Sequence, residues 1–99
     1  MGFWYVYVLR SVSREFRYVG STNELNRRLK EHNDGEVQST KAYRPLEIAA
    51  FVAIPTEKKA RELEKYFKTG SGKAILRKRI SSEAAQEYLL TDEVPQSGT

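Results

Sequence analysis

The sequence predicts an α/β chain of α+β type: a small three-stranded, mainly antiparallel sheet flanked by helices, in the order ββαβαα(α). Three observations predict it. Residues 3–10, 16–20 and 46–54 are runs rich in aromatic and β-branched side chains, which suit a pleated sheet. The first two runs are separated only by a short polar segment, as in a hairpin. The second and third are each followed by a capping residue and a helix-period pattern.

The elements justify themselves in order. Residues 3–10 are almost continuously apolar, as expected of a strand covered on both faces. Alternation puts Tyr5 and Tyr7 on one face of it and Val6 and Val8 on the other. Ser11, Val12, Ser13 and Arg14 form a turn, and residues 16–20 resume the strand pattern up to Gly20, which lets the backbone turn or a ligand approach closely. Ser21 and Glu24 have the spacing of a capping box, with Thr22 and Asn23 as alternative caps. The first helix carries Leu25, Arg28, Leu29 and His32 and stops at Gly35. Residues 36–45 read as a polar, basic loop. The third strand, residues 46–54, ends at Pro55. Thr56 caps a second helix running to about Lys68, with Ala60, Leu63, Tyr66 and Phe67 as its buried stripe. Gly70, Ser71 and Gly72 break that helix, and residues 73–79 form a short basic one. A further helix is expected over residues 81–90. Residues 1–90 therefore read as one domain and 91–99 as a flexible polar tail.

Composition narrows the function classes. Ninety-nine residues suit one domain, and 39% hydrophobic content with 11% aromatics is not a disordered composition. The absence of cysteine excludes disulfides and thiolate metal sites and is compatible with a reducing compartment. The N-terminus lacks the basic region of a signal peptide, and no apolar run approaches the roughly 20 residues that span a bilayer. The expectation is a cytoplasmic protein with no membrane partner. Seventeen Lys and Arg against thirteen acids give a net charge of +4, compatible with a polyanionic partner and equally with an ordinary solvated surface.

The residues with chemical potential are few. Arg28 and His32 are four apart and share a helix face. Arginine offers a permanent charge and two-pronged contact to phosphate. Arg27 is a rival one position away. His32, the only histidine, has three open roles: phosphate contact, proton relay, or a cation favoured by the helix C-terminus. Tyrosines in a sheet are commonly core, and an unperturbed phenol, with a pKa near 10, is a poor base at neutral pH.

Read together, Tyr5-Val6-Tyr7, Tyr18-Val19-Gly20, Arg28, His32 and Glu64 resemble the GIY-YIG nuclease superfamily. The likeness extends over residues 4–80. It is strongest to the small single-domain bacterial branch, which is related to the N-terminal nuclease domain of a DNA-repair excinuclease. Supporting stretches are YVYVLRS, YVGSTNELNRRLKEHN, STKAYRPL and LEKYFKTGSG. The resemblance implies a metal-dependent DNA endonuclease, with a role in DNA repair or in processing unusual DNA structures. By position, Tyr7, Tyr18, Arg28, His32 and Glu64 match the family's catalytic residues, and Glu64 its metal ligand, for Mg²⁺ or Mn²⁺ in its place. A hard cation prefers oxygen ligands, and one carboxylate plus substrate phosphate and water suits it.

Two departures from the pattern stand out. Tyr5 replaces the glycine of the first triad, and no asparagine follows Glu64 where many family nucleases have one. Lys41, Arg44, Lys68, Lys73, Arg77 and Lys78 form a basic set suited to a DNA backbone, with solubilising charge as the alternative. No base-reading module is visible. A nucleic-acid-binding module with the nuclease fold but little cleavage, and an interaction platform for a protein partner, are the alternative functions. Oligomeric state is left open.

Overall fold

The computed structural model describes residues 2–80, with the side chains of residues 77–80 outside the description. The expected helix over 81–90 and the tail over 91–99 lie outside the described residues. The element order is β1 (Trp4–Ser11), β2 (Arg17–Thr22), α1 (Leu25–Asn33), a single 3₁₀ turn (Lys41–Tyr43), β3 (Leu46–Ile54), α2 (Glu57–Phe67) and α3 (Gly70–Ile80).

The three strands form one antiparallel sheet in the order β2-β1-β3, which makes β1 the central strand. Its continuous apolar run has this cause. Val6, Tyr7, Val8 and Leu9 are all buried, and successive side chains enter opposite cores. Val8, Ala49 and Leu76 form one core with Val19, Ala50 and Phe67. Tyr7, Leu9 and Leu46 form the other with Phe16, Tyr18, Leu25, Leu29, Tyr43 and Ile48. Helices α2 and α3 cover the first face and α1 the second. The third strand is equally apolar in sequence but lies at an edge, and Phe51 stays 36% exposed.

Several local expectations change. β2 does not stop at Gly20 but continues to Thr22, paired with β1 through Tyr5. Ser21 is therefore a strand residue and caps nothing. Glu24 is the N-cap, and its carboxylate accepts from the Arg27 N–H at 2.9 Å. Gly35 ends α1 as expected, with φ +83°. Thr56 caps α2 through the Lys59 N–H. Tyr66 does not join the buried stripe of α2 and is 39% exposed. α2 ends at Phe67, ahead of Gly70 as expected, but the next helix starts at Gly70 and not at 73. Gly72 also allows close packing of α3 on the end of α2, since a Cβ there would meet the Tyr66 carbonyl oxygen at 2.0 Å.

Asn33 ties α1 to the sheet. Its amide nitrogen donates to the Leu46 carbonyl at 3.0 Å, and its oxygen accepts from the Leu46 N–H at 2.8 Å. This clamp holds the last turn of α1, and with it His32, over the central strand.

Candidate active site

The site forms at the β2 side of the sheet. Tyr7 stands opposite Gly20 in the β1–β2 ladder, on the face that α1 covers. With no Cβ at Gly20, the Tyr7 ring extends across it. A Cβ there would meet the Tyr7 hydroxyl at 2.5 Å and Cζ at 2.6 Å. The Tyr7 hydroxyl reaches His32 Nε2 at 3.0 Å. His32 Nδ1 in turn lies 2.8 Å from the Thr40 hydroxyl. Tyr18 closes the cluster, with its ring centroid 5.1 Å from that of His32 and 6.4 Å from that of Tyr7.

Arg28 and His32 do share a helix face, but their environments differ. His32 is fully buried, whereas Arg28 keeps a third of its side chain in solvent and pairs with Glu31 at 2.8 Å. Glu31, and after it Tyr7, hold the guanidinium firmly charged. Arg27, the rival, points away, donating to Asn23 Oδ1 at 3.1 Å with more than half its side chain exposed.

Burial pushes the Tyr7 phenol up to about 12, although hydrogen bonding from Arg28 opposes the rise. Burial also lowers His32 to about 4, helped by the Arg28 charge. The imidazole is therefore neutral at physiological pH. The reading of His32 as a cation at the helix end is overturned, because desolvation of a fully buried ring outweighs the dipole.

Glu64 comes from α2, which covers the opposite face, and reaches the same β2 edge of the sheet. The Ser21 hydroxyl donates to its Oε1, and Lys68 Nζ donates to Oε2 at 2.9 Å. Burial raises its pKa, but the Ser21 and Lys68 hydrogen bonds outweigh burial and leave the carboxyl below its ordinary value. Lys68 also lies 5.6 Å from the centre of the Tyr18 ring, so it links the carboxylate to the tyrosine cluster. Among the described residues no group of three or more His, Cys, Asp or Glu side chains could hold a metal. What is present is one ionised, half-buried carboxylate. That donor set fits a hard cation bound through a single protein oxygen and completed by water and phosphate, provided Lys68 yields Oε2.

Ser21 and Thr40 also belong to the site, through Glu64 and His32. Ser21 has the spacing of a helix cap in the sequence, but it continues β2 beyond the Tyr18-Val19-Gly20 triad and pairs with Val6. Thr40 lay in a stretch read as a basic loop, and only folding buries it completely. Of the basic set, Lys68 and Lys73 line one groove of about 320 Å³ beside the site, together with Arg17, Tyr18 and Phe67. Lys68 belongs to the site. Lys41 and Arg44 lie on the loop after α1, where Arg44 Nε donates to the Lys41 carbonyl. The side chains of Arg77 and Lys78 are outside the described residues.

Comparison with known proteins decides the family. The family described as the GIY-YIG catalytic domain matches residues 3–80. The chain belongs to the GIY-YIG family. It is 40% identical over 72 residues to the UPF0213 protein YazA of Bacillus subtilis, covering 68% of this chain and 73% of that one. It is 36% identical over 89 residues to a UPF0213 protein of Bacillus pumilus, covering 85% and 90%. The solution NMR structure of a UPF0213 protein from Bacillus halodurans superposes with a TM-score of 0.52 at 25% identity, over 92% of this chain and 99% of that one. The GIY-YIG assignment places the chain in a nuclease family and agrees with the three-stranded antiparallel α+β fold. No helix among the described residues is long and apolar enough to cross a membrane.

Proposed function

We propose that this chain is a metal-dependent endonuclease that hydrolyses DNA phosphodiester bonds, with Mg²⁺ as the natural ion. One observation carries the reading: Tyr7, His32 and Arg28 converge at the β2 side of the sheet, and Glu64 reaches the same side from α2, its charge acting on Tyr7. Phosphodiester hydrolysis needs an oriented water, neutralisation of the growing charge, and a route for the water's proton.

The chain's residues divide these tasks. The Tyr7 oxygen orients the attacking water. Arg28, permanently charged and partly exposed, contacts the phosphate and stabilises its added charge. His32 is the final proton acceptor. Burial holds the Tyr7 phenol above and the His32 imidazolium below their ordinary values, so a separated phenolate and imidazolium are both disfavoured. The two protons therefore move together with bond formation: Tyr7 passes its proton to Nε2 as it takes one from water. The water oxygen bonds to phosphorus as the P–O ester bond breaks, and the ester oxygen leaves with that electron pair as an alkoxide that takes a proton from solvent. Glu64 would hold the ion, which supplies Lewis acidity and charge neutralisation when bound. Lys68, Lys73 and Arg17 at the adjoining groove suit a DNA backbone.

A nicking assay on supercoiled plasmid tests the reading, with Mg²⁺, Mn²⁺ or chelator, beside Glu64→Gln. Nicking that needs metal and is abolished in the variant is expected, with the fold intact by circular dichroism. Full activity of Glu64→Gln at sub-millimolar Mg²⁺ refutes the assignment. A second reading is a nucleic-acid-binding module that cuts little, favoured by the occupation of both Glu64 oxygens by Ser21 and Lys68. Salt-sensitive DNA binding without nicking would select it.

A further inference from the structure

We propose that Thr40 is a positioning residue that fixes the His32 imidazole with its proton on Nδ1, leaving Nε2 free to receive the Tyr7 proton. The consequence for turnover rests on the nuclease reading, whereas the tautomer itself does not.

Thr40 is fully buried, as is His32. The Thr40 hydroxyl has two neighbours: the Val37 carbonyl at 3.4 Å and His32 Nδ1 at 2.8 Å. A hydroxyl has one proton, and a carbonyl can only accept. In the arrangement proposed, the Thr40 proton is directed at the Val37 carbonyl, which also accepts the Thr40 N–H at 3.1 Å, and the Thr40 oxygen accepts from Nδ1–H; the partners of Nε2 favour this arrangement over its reverse. A neutral imidazole has one N–H, so Nε2 carries the lone pair. The proton in the 3.0 Å contact between Tyr7 and Nε2 then belongs to Tyr7.

The opposite tautomer leaves worse partners. An Nε2–H would donate to the Tyr7 oxygen, which already interacts with the Arg28 guanidinium. The Tyr7 proton would lose its acceptor within a buried cluster, and unsatisfied buried polar groups are costly. Nε2 would also be unable to take a proton without first losing one.

Thr40 reaches this position through the local chain path. Its N–H donates to the Val37 carbonyl at 3.1 Å, and its own carbonyl accepts from the Tyr43 N–H at 2.9 Å at the 3₁₀ turn. A loop that looks polar and unstructured in sequence thus presents one buried hydroxyl to the imidazole.

The chain has a single histidine, so its ring nitrogens can be read without ambiguity. Long-range ¹H–¹⁵N correlation spectra of uniformly labelled protein at neutral pH should show Nδ1 protonated and Nε2 with a lone pair. Thr40→Val keeps the shape and removes the hydroxyl. It should move the proton to Nε2 and lower kcat for plasmid nicking at least about 10-fold, the usual minimum for disturbing an acid–base group, with KM unchanged. Thr40→Ser should restore both the spectrum and the rate. An Nε2–H imidazole in the unsubstituted protein overturns the proposal, whether or not Thr40→Val folds. So does an unchanged kcat in Thr40→Val at matched folded fraction. If the unsubstituted protein nicks no DNA with any divalent ion, the nuclease reading fails, and the spectrum still decides the tautomer.

Discussion

The Tyr7 ring lies across Gly20, its partner on the neighbouring strand, and its hydroxyl meets His32 on the far helix. The glycine of the second triad is thereby explained. It is not a turn residue, since β2 runs two residues beyond it. It is the gap through which a buried phenol reaches the site. A side chain at position 20 would occupy the place of the Tyr7 hydroxyl.

Gly20→Ala tests that relationship. Because Tyr7 is buried and held by His32, it cannot swing away freely. The added methyl should cost roughly 1–3 kcal/mol of stability, the usual range for overpacking, measured by urea unfolding. Nicking should fall further than the folded fraction accounts for. Unchanged stability and rate would show that Tyr7 does not need the gap.

The tyrosine hydroxyls can be separated from their rings. Tyr7→Phe and Tyr18→Phe keep the core filled and should each lower turnover at least roughly 10-fold. Tyr5, whose ring packs edge-on against Phe51 at 6.0 Å, has no place in the hydroxyl cluster, so Tyr5→Phe should do little. Single-turnover rates at matched folded fraction decide the matter, and three indistinguishable variants would refute the role of Tyr7 and the positional match of Tyr18 to a catalytic residue.

Arg28 and Arg27 give a sharper contrast. The charge of Arg28 acts on Tyr7 and His32, whereas Arg27 is turned to Asn23, so Arg28→Ala should lower the rate by about 10²-fold, the scale of a lost transition-state charge contact. Arg27→Ala removes contacts to Asn23 and Glu31 on the surface and should change the rate little. Equal losses would place the phosphate contact elsewhere.

His32 makes stability depend on pH. Its folded pKa, about 4, is depressed from 6.5, so the unfolded chain binds the proton more readily. The stabilisation is fully present above about pH 6.5. It is lost as pH falls through the window down to about 4, where the loss levels off. The expected loss is on the order of 1–3 kcal/mol. Urea unfolding of the protein and of His32→Gln across pH 4–7 checks this. The unsubstituted protein should show the steeper decline over that window.

Much of this chain was decided by local physics and could be read from the sequence. Apolar runs of strand length, Thr56 before a helix period, and Gly35 after one specify β1, β3, α2 and the end of α1, because propensity and capping act between near neighbours. The family triads are likewise local patterns, so Tyr7, Tyr18, Arg28, His32 and Glu64 could be picked out by resemblance. What the tertiary structure alone decided are the long-range facts. Phe51 is exposed because β3 lies at an edge, although its run is as apolar as that of β1. Gly72 serves close helix packing because α3 folds back on α2. His32 is neutral because the fold buries it, and spacing along a helix carries no information about desolvation. Ser21 and Thr40 acquire their roles from partners 43 and 8 residues away. A hydroxyl's hydrogen-bond partner is set by where the chain returns in space, and that depends on the packing of the whole sheet between its helices.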